Sequence, residues 1–218
     1  MSEYQAADRR PIAARDLGPS QRAASWLVAR HVSANAISVG GMLAGVLAGI
    51  ALAATTATEG GPRRILWVAA ALLMQARLVA NMLDGMVAIK SGTASPVGEL
   101  YNEVPDRVSD SAILVGAGYG ATGDPLLGYV AAGLALFTAY VRTAGKAAGA
   151  PHDYRGPMAK QHRMALLTVA CLVLAAMPAA WAASTQRLMS VALAVIAAGC
   201  LITSWRRLAF VAAHLRAR

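Results

Sequence analysis

The sequence predicts an all-α integral membrane protein with six transmembrane helices and both termini in the cytoplasm, and three observations carry that expectation. Of its 218 residues, 57% are hydrophobic and only 14% are charged, where soluble globular domains carry roughly 25% charge; the mean hydropathy is +0.49. Apolar stretches recur with about the 20 residues that a helix needs to cross a hydrocarbon core roughly 30 Å thick. Basic residues crowd alternate connections between those stretches, the asymmetry that fixes orientation in a bilayer. A chain of this length accommodates one compact bundle and little else.

Residues 1–30 read as a cytoplasmic N-terminal arm. The arm is polar and arginine-bearing, with no long apolar run before His31. It lacks the early apolar core of a cleaved signal peptide, so the first span itself directs insertion. Residues 16–30 mix Trp26, Leu27 and Val28 with arginines, which suits an interfacial helix on the inner membrane surface and equally a solvated one. The membrane domain, 31–206, holds apolar runs over 34–54, 65–89, 98–120, 125–147, 164–183 and 188–205. Turn and breaker chemistry separates them. The separators are Gly-Pro-Arg-Arg ending at Arg64, Ser-Gly-Thr after Lys90, Gly123-Asp124-Pro125, a polar loop around His152, and a break over 178–186. Residues 207–218 form a basic cytoplasmic tail. In the first span Gly41, Gly45 and Gly49 recur every fourth residue, a smooth face for close packing either within the bundle or across a homodimer.

A net charge of +9 raises nucleic acid as a partner, but the basic residues sit at span ends, and the sequence predicts no nucleic-acid binding. With the N-terminus inside, Lys90, Lys146, Arg155, Lys160, Arg163, Arg206 and Arg207 join the arginines of the arm on the cytoplasmic side. Only Arg63, Arg64 and Arg187 fall outside. Trp67, Trp181 and Trp205 near span ends fit interfacial anchors. Cys171 and Cys200 lie within apolar stretches and read as inert buried thiols.

Ionisable and amide side chains within spans are costly and mark function by default. Arg77, Asn81 and Asp84 follow at spacings of four and three, and Glu99, Asn102, Asp106 and Asp110 at three, four and four. Each set lies along one helix face. Both stripes flank one cytoplasmic loop, so their ends meet. Two oxygen-rich faces suit a hard divalent cation, Mg²⁺ or Mn²⁺; the lack of His and Cys argues against zinc. Glu99 and Glu103 also read as a helix-start cap, with Glu103 placed to pair with Arg107 at i, i+4. That covers Glu103 and leaves Asp84, Asn102 and Asp106 unexplained.

The stretch Asn81-Met82-Leu83-Asp84-Gly85-Met86-Val87-Ala88-Ile89, eight further residues, and then Gly98-Glu99-Leu100-Tyr101-Asn102-Glu103-Val104-Pro105-Asp106 resembles the signature of the CDP-alcohol phosphatidyltransferases. That signature reads D-x-x-D-G-x-x-A-R followed by G-x-x-x-D-x-x-x-D, and the register matches without a gap. Ala34-Asn35 before Ser38 looks like the Pro-Asn-x-x-Thr entry to the family's first helix. Asp106-Arg107-Val108-Ser109-Asp110 is similar to the branch that makes phosphatidylinositol phosphate. The resemblance implies a six-helix transferase of phospholipid biosynthesis in which Asn81, Asp84, Asn102 and Asp106 hold Mg²⁺ or Mn²⁺. It also implies that Asp84, Gly85, Ala88 and Gly98 receive cytidine diphosphate and that Asp106 takes the acceptor's hydroxyl proton. Small residues suit a nucleotide lying against a helix end. The implied partners are CDP-diacylglycerol or another CDP-alcohol, a polar alcohol acceptor and the lipid bilayer, at a site facing the cytoplasm from the inner membrane.

Three positions depart from the pattern. Asn81 and Asn102 replace family aspartates and offer only neutral carbonyl oxygens. The motif then carries two negative charges, and the resting site is expected to hold at most one tightly bound divalent ion. Ile89 replaces the family arginine; Arg77 or Lys90 takes over its phosphate contact, or Arg77 neutralises Asp84. In the fourth loop and its flanks, Arg142, Lys146, Lys160 and Arg163 serve the positive-inside bias and anionic lipid, or form a pocket for a phosphorylated acceptor. Two alternatives stand beside the transferase. One is a cation transporter or channel-like bundle, whose polar residues would continue to the outer side; the other is a catalytically silent family member.

Overall fold

The computed structural model describes residues 13–217 apart from 152, 179–180 and 182–185. The described residues form seven α-helices: α1 (Gly18–Ala29), α2 (Ala34–Ala54), α3 (Gly60–Lys90), α4 (Pro96–Tyr119), α5 (Pro125–Ala147), α6 (Lys160–Ala176) and α7 (Leu188–Arg216). Several begin at the caps the sequence supplies. The side chains of Ser33, Ser95 and Asp124 accept from the backbone N–H of Ala36, Gly98 and Leu127, which satisfies donors a helix start leaves orphaned. Prolines open α4 and α5, where a missing N–H costs nothing.

Six helices close into a ring. α2 packs on α3 and α4, α4 on α5, α5 on α7, α7 on α6, and α6 back on α3. The core contains Trp67 and Met74 of α3, Leu114 of α4, Leu167 of α6, and Leu193 and Ile196 of α7, all buried. Leu43, Leu47, Ile65, Leu72, Leu126 and Leu201 are exposed on the outside. So much exposed apolar surface fits a lipid-facing wall. Four helices are long and apolar enough to cross a membrane: α2 with its 3-10 extension to Ala57, α3, α5 and α7. The other two miss that standard for different reasons. α4 carries Glu103, Asp106, Arg107 and Asp110 within its length, and α6 has 17 residues.

Three boundaries differ from the sequence expectation. The Gly-Pro-Arg-Arg turn is the first turn of α3, because a proline in a first turn removes no intrahelical bond. Arg63 and Arg64 there donate to the carbonyls of Thr58 and Met177. α6 ends at Ala176, and most of the remainder of the expected span lies outside the described residues. α7 continues past Trp205 to Arg216, so the basic segment extends the last helix. Arg207 anchors it, buried and donating to the carbonyls of Thr138 at 2.8 Å and Arg155 at 3.2 Å. α1 lies on α3 through Ala24, against Met86 and Val87, with Trp26 exposed. Arg9 and Arg10 of the arm lie outside the described residues.

The glycine face of α2 is used inside the bundle. A Cβ on Gly41 would lie 2.9 Å from the Ala80 Cβ of α3; one on Gly45 would lie 2.4 Å from the Ser109 Cβ, and one on Gly49 2.3 Å from the Ala112 carbonyl oxygen, both of α4. Gly49→Val is therefore expected to force α2 from α4 and to cost about 1–3 kcal/mol or more. A lowered unfolding midpoint in mixed detergent micelles checks this. Gly40→Val, where nothing lies within 4 Å, should leave the midpoint unchanged.

Candidate active site at the α3–α4 end

Residues 91–95 turn the chain between α3 and α4, with Gly92 at φ +66° supplying the left-handed conformation the turn needs. The end of α3 then lies beside the start of α4, and the two polar stripes touch: Asn81 Nδ2 donates to Asn102 Oδ1 at 2.8 Å. Asp84 is buried. Its Oδ2 accepts from the Ser38 hydroxyl of α2 at 2.7 Å and its Oδ1 from the Gly85 N–H. The entry-motif resemblance singles out Ser38 but gives no hint that it holds a carboxylate.

A buried ion network underlies the stripes. Arg77, 1% exposed, donates to the Ser109 hydroxyl at 2.7 Å and to the Asp106 carbonyl and Oδ1 at 3.2 Å each. It also pairs with Asp110 at 2.6 Å. Arg163 meets the other oxygen of Asp110 at 2.7 Å and donates to the Met158 carbonyl at 3.0 Å. Two arginines from α3 and α6 thus converge on one carboxylate of α4. Arg77 faces Asp106 and Asp110 rather than Asp84, and Arg163 is engaged in joining α6 to α4.

Lys160 opens α6 and reaches into the motif itself. Its Nζ donates to Asp106 Oδ2 and to Asn81 Oδ1. A lysine offers only donors, so this contact orients the Asn81 amide, carbonyl toward Lys160 and nitrogen toward Asn102.

A cavity of about 790 Å³ opens over these residues. α3 lines it with Asn81, Asp84, Gly85 and Ala88, and α4 with Gly98, Asn102 and Asp106. Its far wall carries Arg142 and Lys146 of α5, with Lys160 and Arg163 of α6. Arg142 pairs with Glu103 and sits 5.8 Å from the Tyr154 ring; Glu103 also meets the expected Arg107, at 3.4 Å. Neither expected stand-in for the family arginine, Arg77 or Lys90, lines the cavity. Arg77 lies beneath the floor, beside a recess of about 10 Å³, and Lys90 donates to Ser25 and the Gln21 carbonyl on α1. Arg15, His31, Tyr154 and Arg207 also line the cavity. They come from distant stretches, and no local spacing in the sequence singles them out.

The donor set is all oxygen, which fits a hard divalent cation. Its charge is low. Among the described residues no group of three or more His, Cys, Asp or Glu side chains is placed to hold a metal, because Asn81 and Asn102 interrupt the carboxylates; the Glu99 side chain lies outside the described residues. Toward the opposite end the core of Leu52, Trp67, Met74 and Leu114 is apolar, so the polar stripes end within the bundle.

No family model matches the chain. It is 30% identical over 88 residues to the inner membrane protein YnbA of Escherichia coli (strain K12); the match covers 40% of this chain and 41% of that protein, so it spans about two fifths of the curated relative. Solved structures of the Mycobacterium tuberculosis phosphatidylinositol phosphate synthase share the fold. The one with CDP-DAG bound has a TM-score of 0.70 at 19% identity, covering 88% of this chain and 92% of that one. The complex with manganese and citrate gives 0.71 at 18% identity, covering 88% of each chain. The apo form gives 0.61 at 19% identity, covering 84% of this chain and 95% of that one.

Proposed function

We propose that this chain, built on the fold of a phosphatidylinositol phosphate synthase, is a metal-dependent CDP-alcohol phosphatidyltransferase of phospholipid biosynthesis. The observation that carries the reading is the meeting of the Asn81–Asp84 and Asn102–Asp106 stripes under one large cavity, flanked by Gly85, Ala88 and Gly98. The bundle crosses the inner membrane six times with both termini in the cytoplasm. All the site's cations, from Arg77 to Arg207, lie at the α3–α4 end, which supports placing that end inside. A lipid donor such as CDP-diacylglycerol then reaches the cavity from the inner leaflet without leaving the bilayer.

Asp84 would hold the cation, with Asp106 and the amide oxygens of Asn81 and Asn102 as the further motif oxygens within reach of it. Mg²⁺ or Mn²⁺ bound there would supply Lewis acidity toward a diphosphate. Gly85, Ala88 and Gly98 leave room for the nucleotide against the helix ends. Asp106, at the cavity edge, receives the proton of the attacking hydroxyl, and Arg77 orients it through Oδ1. Arg142, Lys146 and Lys160 give the far wall the charge to hold a phosphorylated polar acceptor. Arg163 supports that wall through Asp110.

The test is incubation of purified protein with CDP-diacylglycerol, Mg²⁺ or Mn²⁺ and a panel of polar alcohols and their phosphates. Acceptor-dependent release of cytidine monophosphate is expected, and no release from any CDP-alcohol would sink the reading. Lys146→Met should raise the acceptor's KM by roughly ten- to a hundredfold, the loss of one charge-assisted contact, with little change in the donor's KM. Equal effects on both substrates would return Lys146 to lipid contact and topology.

A further inference from the structure

We infer that the Lys160 ammonium is a built-in cation of this site, occupying the place among the motif side chains that a second divalent ion would otherwise take, so that the chain binds a single Mg²⁺ or Mn²⁺. The inference rests on the metal-dependent reading above and concerns how the motif is charged.

Lys160 Nζ bridges the two stripes, contacting Asn81 Oδ1 on α3 and Asp106 Oδ2 on α4. Bridging oxygens from both helices is the task the motif residues perform for a metal ion. The remaining oxygen of Asp106 faces Arg77, so that carboxylate is met by cations on both sides. Asp84 differs: its hydrogen-bond donors are the neutral Ser38 hydroxyl and Gly85 N–H. It is the motif carboxylate left to attract a divalent ion.

The two asparagines fit this arrangement. Asn81 uses both halves of its amide, oxygen toward Lys160 and nitrogen toward Asn102 Oδ1. An aspartate there would have no donor for Asn102, which would have to turn its own amide to meet it. The replacement of aspartates at 81 and 102 removes negative charge where Lys160 adds a positive one. A second divalent ion would enter against the repulsion of Lys160, with Arg77 behind it.

Electron paramagnetic resonance and calorimetric titration with Mn²⁺ test this on the purified full-length protein, with and without cytidine diphosphate. Wild type and Lys160→Arg are expected to bind one Mn²⁺ per chain in both conditions, with the spectrum of an isolated ion. Lys160→Met should bind a second Mn²⁺ when cytidine diphosphate is present, or hold the first at least roughly tenfold more tightly. Asn81→Asp/Asn102→Asp/Lys160→Met should hold two without nucleotide. A spin-coupled Mn²⁺ pair in wild type overturns the inference, whether or not the Met variants fold. So does Lys160→Met with unchanged count and affinity. These counts need no turnover, so they stand apart from the release assay: absence of cytidine monophosphate release fells the transferase, and the number of ions decides the role of Lys160.

Discussion

Asp84→Asn is expected to abolish acceptor-dependent release of cytidine monophosphate while leaving a folded, membrane-inserted protein. The amide keeps one oxygen for the Ser38 hydroxyl, which donates to Asp84 at 2.7 Å, and gives up the acceptor that meets the Gly85 N–H, a local loss that the helix backbone around it tolerates. The main loss is charge, at the motif carboxylate whose hydrogen-bond donors are neutral. Metal-borne charge stabilisation contributes several kcal/mol to a transition state, and each 1.36 kcal/mol is tenfold in rate; turnover should fall by about 10³-fold or more. Single-turnover assays in detergent, paired with Mn²⁺ titration, check it. Near-wild-type turnover would falsify the metal assignment. Asp106→Asn should lose as much activity and also some stability, since Lys160 loses its carboxylate partner and Arg77 one of its two.

Arg77→Met carries the largest expected cost to folding. The guanidinium is 1% exposed and serves Ser109, Asp106 and Asp110 together. Its removal leaves Asp110 with Arg163 alone and Asp106 without its inner partner. Breaking a buried pair by deleting one side costs about 3–5 kcal/mol, because the remaining charge stays desolvated. The unfolding midpoint in mixed micelles should fall accordingly. Adding Asp110→Asn should recover part of the loss, since Arg163 can still donate to the amide oxygen. A midpoint within error of wild type for Arg77→Met would show that the network contributes nothing to stability.

The helices and the two polar stripes were legible because both are periodic features of contiguous sequence. Spacings of three and four put Asn81 and Asp84, and Asn102 and Asp106, on common faces, and the short connection after Lys90 forces those faces together. The caps at Ser33, Ser95 and Asp124 follow from residue chemistry alone. Lys160 was not legible as a motif partner. It stands 79 residues from Asn81 and 54 from Asp106, within a basic cluster that orientation in the membrane already explains. The bond between Asp110 and Arg163 is equally non-local. Arg77 was placed on the right face, yet only the packing of α4 shows that it faces Asp106 and Asp110 instead of Asp84. The direction of the Gly41–Gly45–Gly49 face depended on which helix would lie against it, and a single helix does not encode its neighbour.

The position of Arg77 bears on how the chain enters its membrane during synthesis. α4 carries Glu103, Asp106, Arg107 and Asp110, and an aspartate at the centre of a spanning helix opposes insertion by about 2.5–3.5 kcal/mol. Alone, such a segment partitions poorly. α3 precedes it by a loop of a few residues and holds Arg77 at the depth where Asp106 and Asp110 arrive. If the two helices insert together, they do so as a charge-matched hairpin, with the glycine face of α2 lying against both. Arg163, on α6, joins Asp110 only after two more helices have been made. On that footing the arginine that braces the finished site is expected to carry its carboxylates into the bilayer as well, and truncations ending after α4 should insert, by glycosylation mapping of their ends, only when Arg77 is present.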